Sequence, residues 1–226
     1  MKYIGTELYL FEKAQNWKKY WSSMISLHMS GDVLEVGAGI GTNTKFFANA
    51  DFKKWVCLEP DLELLEEARK RNPGNRYEFI AGTIADVKDS FDVIFYIDVL
   101  EHIKDDAAEM KRAADHLKSN GTLIVLVPAH QWLFSPLDTA VGHYRRYTKR
   151  SLIAAVPSAL ELERLVYLDS MGLFASLTNK LLLRQKMPSL AQIHTWDSFL
   201  VPVSKILDPL LGHTIGKSVL GVWRRS

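Results

Sequence analysis

The chain has 226 residues, of which 47% are apolar and 24% charged, and its formal net charge is +2. This composition is ordinary for a globular protein and excludes disordered, collagen-like and coiled-coil chains. The single cysteine, Cys57, excludes a disulfide framework and a thiolate zinc cluster, and it indicates a reducing, cytoplasmic compartment. The length predicts one domain over residues 1–226. We expect no signal peptide and no membrane-spanning helix, because the sequence shows neither pattern.

Charge is spread unevenly along the chain. The net charge is +2 over residues 1–30, −4 over residues 31–168 and +4 over residues 169–226. The acidic middle argues against a nucleic-acid groove and therefore against a nucleic-acid partner. The basic ends are compatible with an anionic substrate, with peripheral contact to a membrane surface, or with ordinary solvated faces.

The first 30 residues differ in pattern from the rest of the chain. Apolar and aromatic side chains recur at helical spacing over residues 5–29, which predicts one or two helices that form a cap over residues 1–30. From residue 31 to residue 168, short apolar runs alternate with longer amphipathic stretches. This alternation predicts strands over 32–37, 54–58, 76–80, 91–97, 122–127 and 160–168, and helices over 42–50, 61–71, 105–118 and 149–156.

Strands that alternate with helices predict an α/β fold with a doubly wound, mainly parallel sheet in a core over residues 31–168. Asn120 and Gly121 are expected to end the helix over 105–118. Residues 170–213 break the pattern, because they are apolar and contain no Glu, and they predict a helical insertion. A last strand is predicted over 217–223.

Three alternating glycines, Gly37, Gly39 and Gly41, come after the first predicted strand and precede a predicted helix. Glycines allow the backbone to approach a ligand closely, and a helix N-terminus attracts an anion. A tight turn between strand and helix would also use glycines. Glu59 ends the next strand, about 18 residues after Gly41, where an acidic residue accepts hydrogen bonds from ribose hydroxyls. The two features together predict a nucleoside-containing cofactor and leave its identity open.

A third block, Asp98-Val-Leu-Glu101-His102-Ile, comes directly after a strand predicted to be buried. Ligands of parallel sheets bind at this end of the strands. With the glycine run and Glu59, the block resembles the class I S-adenosylmethionine-dependent methyltransferases over residues 31–128. The closest group is the small-molecule type that includes ubiquinone and menaquinone biosynthesis enzymes. The resemblance implies a seven-stranded Rossmann-like sheet with an antiparallel last strand, S-adenosylmethionine as cofactor and S-adenosylhomocysteine as product.

The resemblance also implies where the cofactor binds. The glycines would line its methionine and ribose portions, Glu59 would bind the ribose diol and Asp98 would lie beside the methionine amino group. Many family members have Asp at the position of Thr83, so either Thr83 or Asp86 would bond the adenine amino group here. The full implied set is Glu35, Gly37, Ala38, Gly39, Gly41, Glu59, Pro60, Thr83, Ile84, Asp98 and Val99. No metal is implied.

The acceptor side is predicted from the polar segments after the fourth and fifth strands of the core. Methyl transfer from a sulfonium is an in-line displacement, which needs a general base only if the acceptor loses a proton near the transition state. His102 is the first candidate for that base, or else a His that orients its loop. The catalytic candidates are His102, His143 and Tyr147. The substrate-binding candidates, which could hold a phosphate or carboxylate and stack on a ring, are Asp138, Tyr144, Arg145 and Arg146.

The apolar insertion over 170–213 could shape a pocket for a lipid-like acceptor, pack in the core or form a dimer interface. The sequence therefore predicts methyl transfer to a small anionic or lipid-like acceptor by a monomer or a homodimer. Two alternatives stay open, an NAD(P)-dependent oxidoreductase and a non-catalytic protein that binds a nucleoside cofactor. A nucleic-acid methyltransferase is disfavoured, because Asp98-Val-Leu-Glu stands where base-modifying enzymes usually carry a Pro-Pro block.

Overall fold

The computed structural model describes residues 7–183 and 187–226, in which seven strands form one sheet. In chain order the strands are β1 (Gly31–Val36), β2 (Phe52–Glu59), β3 (Glu78–Ala81), β4 (Phe91–Ile97), β5 (Leu117–Pro128), β6 (Leu160–Leu168) and β7 (Ser218–Arg225). They lie in the order β3-β2-β1-β4-β5-β7-β6 across the sheet. The first five of these are mutually parallel, and β7 is antiparallel to both β5 and β6. The mainly parallel sheet with an antiparallel last strand is therefore confirmed.

Nine α-helices connect or flank the strands within the described residues. They are α1 (Glu7–Phe11), α2 (Gln15–Ile25), α3 (Leu62–Arg71), α4 (Asp106–Asp115), α5 (Pro136–Val141), α6 (Lys149–Ala155), α7 (Ser170–Thr178), α8 (Leu190–Thr195) and α9 (Val201–Leu210). Two π-helical turns, Asn179–Leu183 and Trp196–Leu200, continue α7 and precede α9. Residues 1–6 of the predicted cap and 184–186 of the predicted insertion lie outside the described residues. None of the described helices is long and apolar enough to cross a membrane.

Both faces of the sheet are buried, because successive side chains of a strand point to opposite faces. On β4, Ile94 and Tyr96 pack with helices α4 and α6, whereas Val93 and Phe95 pack on the other face. The second face is covered by α2 and by the helices after β6, through side chains such as Trp21. This two-sided burial explains why the central strands are almost wholly apolar.

The predicted helix over 42–50 is wrong, since the segment contains only a 3-10 turn at Thr44–Phe47. The Thr44 hydroxyl donates to the buried Glu35 carboxylate at 2.7 Å. The Phe47 ring lies buried 5.5 Å from the Trp55 ring, measured between centroids. These contacts hold both ends of the turn against the sheet. The glycine loop is therefore followed by no α-helix whose N-terminus could bind an anion.

Asn120 and Gly121 do not end helix α4, which stops at Asp115. They lie inside β5, where the pairing with β4 shifts from Phe91–Leu117 to Val93–Thr122. Asn120 adopts a φ of 62° within this bulge. Asn120 and Gly121 are therefore part of a bulge in β5 and not the end of a helix. Both kinds of structure can contain left-handed backbone, so the same residue types occur in each.

The segment between β6 and β7 is fastened to the core by buried carboxylates. Asp208 of α9 accepts hydrogen bonds from the backbone of Asp169 at 2.6 Å and Ser170 at 3.0 Å, and from the Tyr20 hydroxyl at 2.9 Å. Asp197 accepts from the backbone N–H of Trp17 at 2.8 Å. The inserted helices are therefore joined to α2 by polar contacts as well as by apolar packing.

Candidate functional site

The loop after β1 is held open by glycine backbone. The φ values of Gly37, Gly39 and Gly41 are 69°, 55° and 72°, and residues other than glycine rarely adopt such values. A Cβ at Gly37 would lie 2.5 Å from a methyl group of Val99. At Gly39 it would face a cavity beside the loop, with the nearest described side chain, Leu8, at 3.7 Å. Gly37 is thus required for packing and Gly39 leaves room for a ligand.

Glu59 at the end of β2 holds the glycine loop in place. Its carboxylate accepts hydrogen bonds from the backbone N–H of Gly39 at 2.9 Å and of Asp61 at 3.0 Å. Burial raises the pKa of Glu59, although both hydrogen bonds favour its charged form. Each oxygen has a further lone pair, so the carboxylate can also accept from ribose hydroxyls.

Glu35 lies buried under the loop and does not reach the cavity surface. One carboxylate oxygen accepts from Thr44 and from the Trp55 indole N–H at 3.1 Å, whereas Oε1 has no hydrogen-bond partner among the residues described. Burial raises the pKa of Glu35 to about 7. The contacts give Glu35 a role in supporting the loop from below.

Thr83 and Ile84 come after β3 at the far side of the loop. The Thr83 backbone N–H and hydroxyl both donate to Asp86, at 2.8 and 3.0 Å. These hydrogen bonds lower the pKa of Asp86. Ile84 is buried beneath this turn and Thr83 is exposed. Asp86 is therefore committed to the turn, and the exposed Thr83 follows the carboxyl end of β3 without lining the cavity.

The cavity beside the glycine loop has a volume of about 670 Å³ and opens at the carboxyl ends of β1, β4 and β5. Gly37, Ala38 and Gly39 line one end of it. Asp98, which has a φ of 54°, lies on its wall with an exposed side chain. Because protein surrounds the cavity, desolvation raises the pKa of Asp98, and Lys18 opposes that shift.

Two lysines in the cavity wall were not predicted from the sequence. Lys18 of α2 donates to Asn43 Oδ1 at 2.6 Å beside the glycine loop, and burial lowers its pKa to about 8. Lys217 lies 3.4 Å from the centroid of the Trp196 ring and 3.4 Å from Asp169 Oδ2, and burial lowers its pKa as well. Neither belongs to a motif, so only the fold brings them to the site. With Trp17 and Trp21, Lys18 also shows that α2 closes over this end of the cavity.

The opposite end of the cavity carries a polar cluster, defined by Glu101, His102, Asp138, His143 and Arg146. Arg146 binds both carboxylate oxygens of Asp138, at 2.7 and 3.0 Å. Asp138 also accepts from His143 Nδ1 at 2.9 Å. Because an ionised carboxylate only accepts hydrogen bonds, His143 must donate from Nδ1, which leaves Nε2 as an acceptor when the ring is neutral.

Burial and hydrogen bonds shift the pKa values of the side chains in the polar cluster. Burial acts to raise the pKa of Asp138, but the hydrogen bonds from His143 and Arg146 outweigh it and hold that pKa well below its usual range. Burial and then the nearby Asp98 raise the pKa of Glu101 far above its ordinary value. Both Glu101 oxygens lack a hydrogen-bond partner among the described residues. Burial, aided by His143, lowers the pKa of His102 to about 4, which keeps the His102 ring neutral at pH 7.

Three predicted acceptor-side residues do not line the cavity. The buried Tyr147 donates its hydroxyl to Asp106 at 2.7 Å, and burial raises the pKa of that hydroxyl. Arg145 pairs with the same carboxylate at 2.6 Å. Tyr144 is exposed on the surface. The fold therefore brings Asp138, His143 and Arg146 to the cavity and directs their sequence neighbours elsewhere.

The described residues contain one group of side chains with the donor types that hold a metal ion. Glu101, His102 and His143 each offer an atom, all within 4.8 Å of one another. The Nε2 atom of His143 lies 3.8 Å from Glu101 Oε1. The expectation that the site uses no metal stays a prediction.

Comparison with known proteins agrees with this geometry. The methyltransferase domain family matches residues 34–123, which contain the glycine loop, Glu59 and the block after β4. The strand order, the glycine loop and this match, which spans less than half of the chain, support a class I S-adenosylmethionine-dependent methyltransferase. The match agrees with the predicted cofactor, S-adenosylmethionine, and favours neither alternative function. No curated protein matches the chain in sequence.

Several solved structures share the fold at low sequence identity. The N-methyltransferase NodS from Bradyrhizobium japonicum, in complex with S-adenosyl-L-homocysteine, is 14% identical with a TM-score of 0.62, covering 98% of this chain and 93% of that one. An S-adenosylmethionine-dependent methyltransferase from Mesorhizobium loti is 14% identical with a TM-score of 0.64, covering 92% and 98%. The YcgJ protein from Bacillus subtilis is 18% identical with a TM-score of 0.61, covering 91% and 97%. These matches do not single out the ubiquinone and menaquinone group.

Proposed function

We propose that this chain is an S-adenosylmethionine-dependent methyltransferase that modifies a small anionic acceptor with an apolar, lipid-like part, bound against the polar cluster. The observation that carries the proposal is one continuous cavity, which joins the glycine loop to the polar cluster and to apolar walls from α7 and α8. A cofactor and an acceptor can therefore meet inside it. Its volume of about 670 Å³ lies within the range of about 300–1,000 Å³ that is typical of small-molecule sites.

The residues at the glycine end fit S-adenosylmethionine. Gly39 leaves open space where a side chain would stand, and Glu59 supplies acceptors for a ribose diol. Asp98 can accept hydrogen bonds from the methionine ammonium, and Lys18 can pair with the carboxylate. When bound, the cofactor supplies an activated methyl group on a positively charged sulfur.

His143 is the general base of the proposed reaction. Asp138 holds its ring in one orientation through Nδ1, and Arg146 in turn holds Asp138. The free Nε2 lone pair can accept the proton that an acceptor hydroxyl loses as it is methylated. Burial raises the pKa of Glu101 and lowers that of His102 to about 4, so both shifts favour the uncharged side chains beside His143. The chain otherwise contributes by aligning the acceptor for displacement.

The remaining lining residues favour an acceptor with two chemical ends. Lys217 and Arg146 supply positive charge for an anionic group, although each already faces a carboxylate. Small and apolar side chains line the path away from them, including Leu133, Leu137, Ala175, Ile193 and Leu200. An apolar tail of the acceptor would lie along this path.

The proposal is tested with tritiated methyl donor and a panel of defined acceptors. The panel pairs long-chain hydroxy acids and alkyl-substituted phenolic acids with their tail-less counterparts, and it includes simple amines. We expect label in the tailed acids and at least about tenfold less in the tail-less ones, since burying even two methylene groups is worth about 1.6 kcal/mol. Label confined to amines or to tail-less acids would contradict the proposed acceptor class.

A further inference from the structure

Helix α9 and the π-helical turn before it carry apolar side chains on the face that points away from the core. Phe199, Val203, Ile206 and Leu210 are all exposed, the first and last at 65% and 77% of their surface. Their spacing of four, three and four residues places them along one side of a helix. We call these four residues the α9 stripe. The opposite side of the helix is buried through Val201, Ser204 and Asp208.

The neighbouring helix α7 adds to the exposed apolar surface of this segment. Phe174 and, seven residues later, Leu181 in the adjoining π-helical turn are exposed as well. Helices α7 and α9 are packed together, with the backbone N–H of Met171 donating to the Ser204 hydroxyl at 3.0 Å. A soluble protein rarely leaves so many large apolar side chains exposed in one segment without a partner for them.

Among the described residues of this segment, Lys205 is the one exposed side chain that carries a charge. From residue 169 to residue 226 the sequence holds seven Lys or Arg and three acidic residues. All three acidic residues, Asp169, Asp197 and Asp208, are buried. Each accepts hydrogen bonds from inside the protein, for example from the Trp196 indole N–H to Asp169 at 2.7 Å. Lys205 flanks the α9 stripe, about 100° around the helix axis from Ile206.

We infer that the α9 stripe docks on the surface of an anionic lipid bilayer, with Lys205 meeting the headgroups. Apolar side chains beside basic ones, on a helix too short to span a bilayer, are typical of segments that lie in the membrane interface. Helix α7, which packs against α9, lines the acceptor cavity through Gly172 and Ala175, and helix α8 lines it through Ile193. Docking would therefore bring the cavity wall close to the bilayer, and a lipid-like acceptor would enter the cavity from there. This role in acceptor entry rests on the proposed function.

The experiment is flotation of the full chain with vesicles of phosphatidylcholine, with and without phosphatidylglycerol. We expect binding to the anionic vesicles. The double variant Phe199→Gln/Ile206→Gln should lower the partition coefficient at least about tenfold, because each side chain buries a large apolar area. Lys205→Gln should lower it about fivefold, and only on the anionic vesicles. The matched control Leu27→Gln/Leu62→Gln changes two exposed leucines outside this segment and should bind like the unaltered chain.

Sedimentation of the chain without lipid tests the alternative that a second copy of the chain binds to the α9 stripe. A dimer that the double variant dissociates, together with no vesicle binding, would overturn the inference. Equal binding of the double variant and the unaltered chain, or no binding by either, would overturn it as well. Titration of each variant with S-adenosylmethionine separates this outcome from a failure of the proposed function, because the α9 stripe does not line the cavity.

Discussion

Replacing Gly37 by alanine should destabilise the protein by an amount that the loop geometry defines. The residue has a φ of 69°, and left-handed backbone costs a non-glycine residue about 1–2 kcal/mol. Its new Cβ would lie 2.5 and 2.9 Å from the two methyl groups of Val99, and such overpacking typically costs about 1–3 kcal/mol. The free energy of unfolding should therefore fall by about 2–5 kcal/mol, which lowers the melting temperature by roughly 5–15 °C in a chain of this size.

Two controls separate backbone strain from the contact with Val99. Gly74 also has a positive φ, of 105°, but a Cβ there would meet no described atom within 4 Å, so Gly74→Ala should cost the strain alone. In a Val99→Ala background the methyl groups are gone, and Gly37→Ala should again cost only about 1–2 kcal/mol. Urea unfolding of the four variants of the cycle measures the coupling. Equal costs of Gly37→Ala in both backgrounds would refute the packing argument.

Three further predictions concern the cavity. Lys18 must be protonated to pair with the cofactor carboxylate, and its pKa is lowered to about 8, so affinity for S-adenosylmethionine should fall as the pH rises through 8. The α-ammonium of the cofactor also loses its proton at about pH 8, so Lys18→Met should bind more weakly at pH 6 and show only that second, shallower dependence. Calorimetry from pH 6 to pH 10 checks it, and equal slopes for the two chains would count against the role of Lys18. His143→Ala should lower kcat about 10²–10⁴-fold, measured with the tailed acid that is active in the acceptor panel, and should leave cofactor affinity unchanged. The matched control Tyr144→Phe changes an exposed neighbour and should retain full activity. A drop in cofactor affinity alone would contradict the assignment of His143 as the base. Treatment with EDTA should leave methyl transfer unchanged, and a loss that Mn²⁺ restores would instead make Glu101, His102 and His143 metal ligands.

The strands could be predicted from the sequence because their signal is local. The run from Phe91 to Ile97 is nearly all apolar, which is the pattern of a strand that is buried on both faces of a sheet. The helix after the glycine loop could not be predicted correctly, because the contact between Thr44 and Glu35 that holds the 3-10 turn joins residues nine positions apart across a strand end. Pairings of this kind override local helix propensity.

The candidate site divides in the same way. The glycine loop, Glu59 and Asp98 belong to motifs whose spacing is meaningful, so the sequence predicts them as a group. Lys18 and Lys217 come from opposite ends of the chain, and no spacing relates them. The basic block after α5 shows the limit of a motif, because neighbouring side chains there point different ways, Arg146 to the cavity and Arg145 to Asp106.

Binding of S-adenosylmethionine at the glycine end of the cavity underlies every role assigned to the site residues. Calorimetric titration of the purified chain with S-adenosylmethionine, S-adenosylhomocysteine, NAD and NADP measures it. We expect saturable binding of the first two ligands with one site per chain, and no binding of the nicotinamide cofactors. Glu59→Ala should weaken binding at least about tenfold, since a hydrogen bond to a charged group contributes about 1.5–3 kcal/mol. Binding of NAD or NADP alone would contradict the assignment of the cofactor.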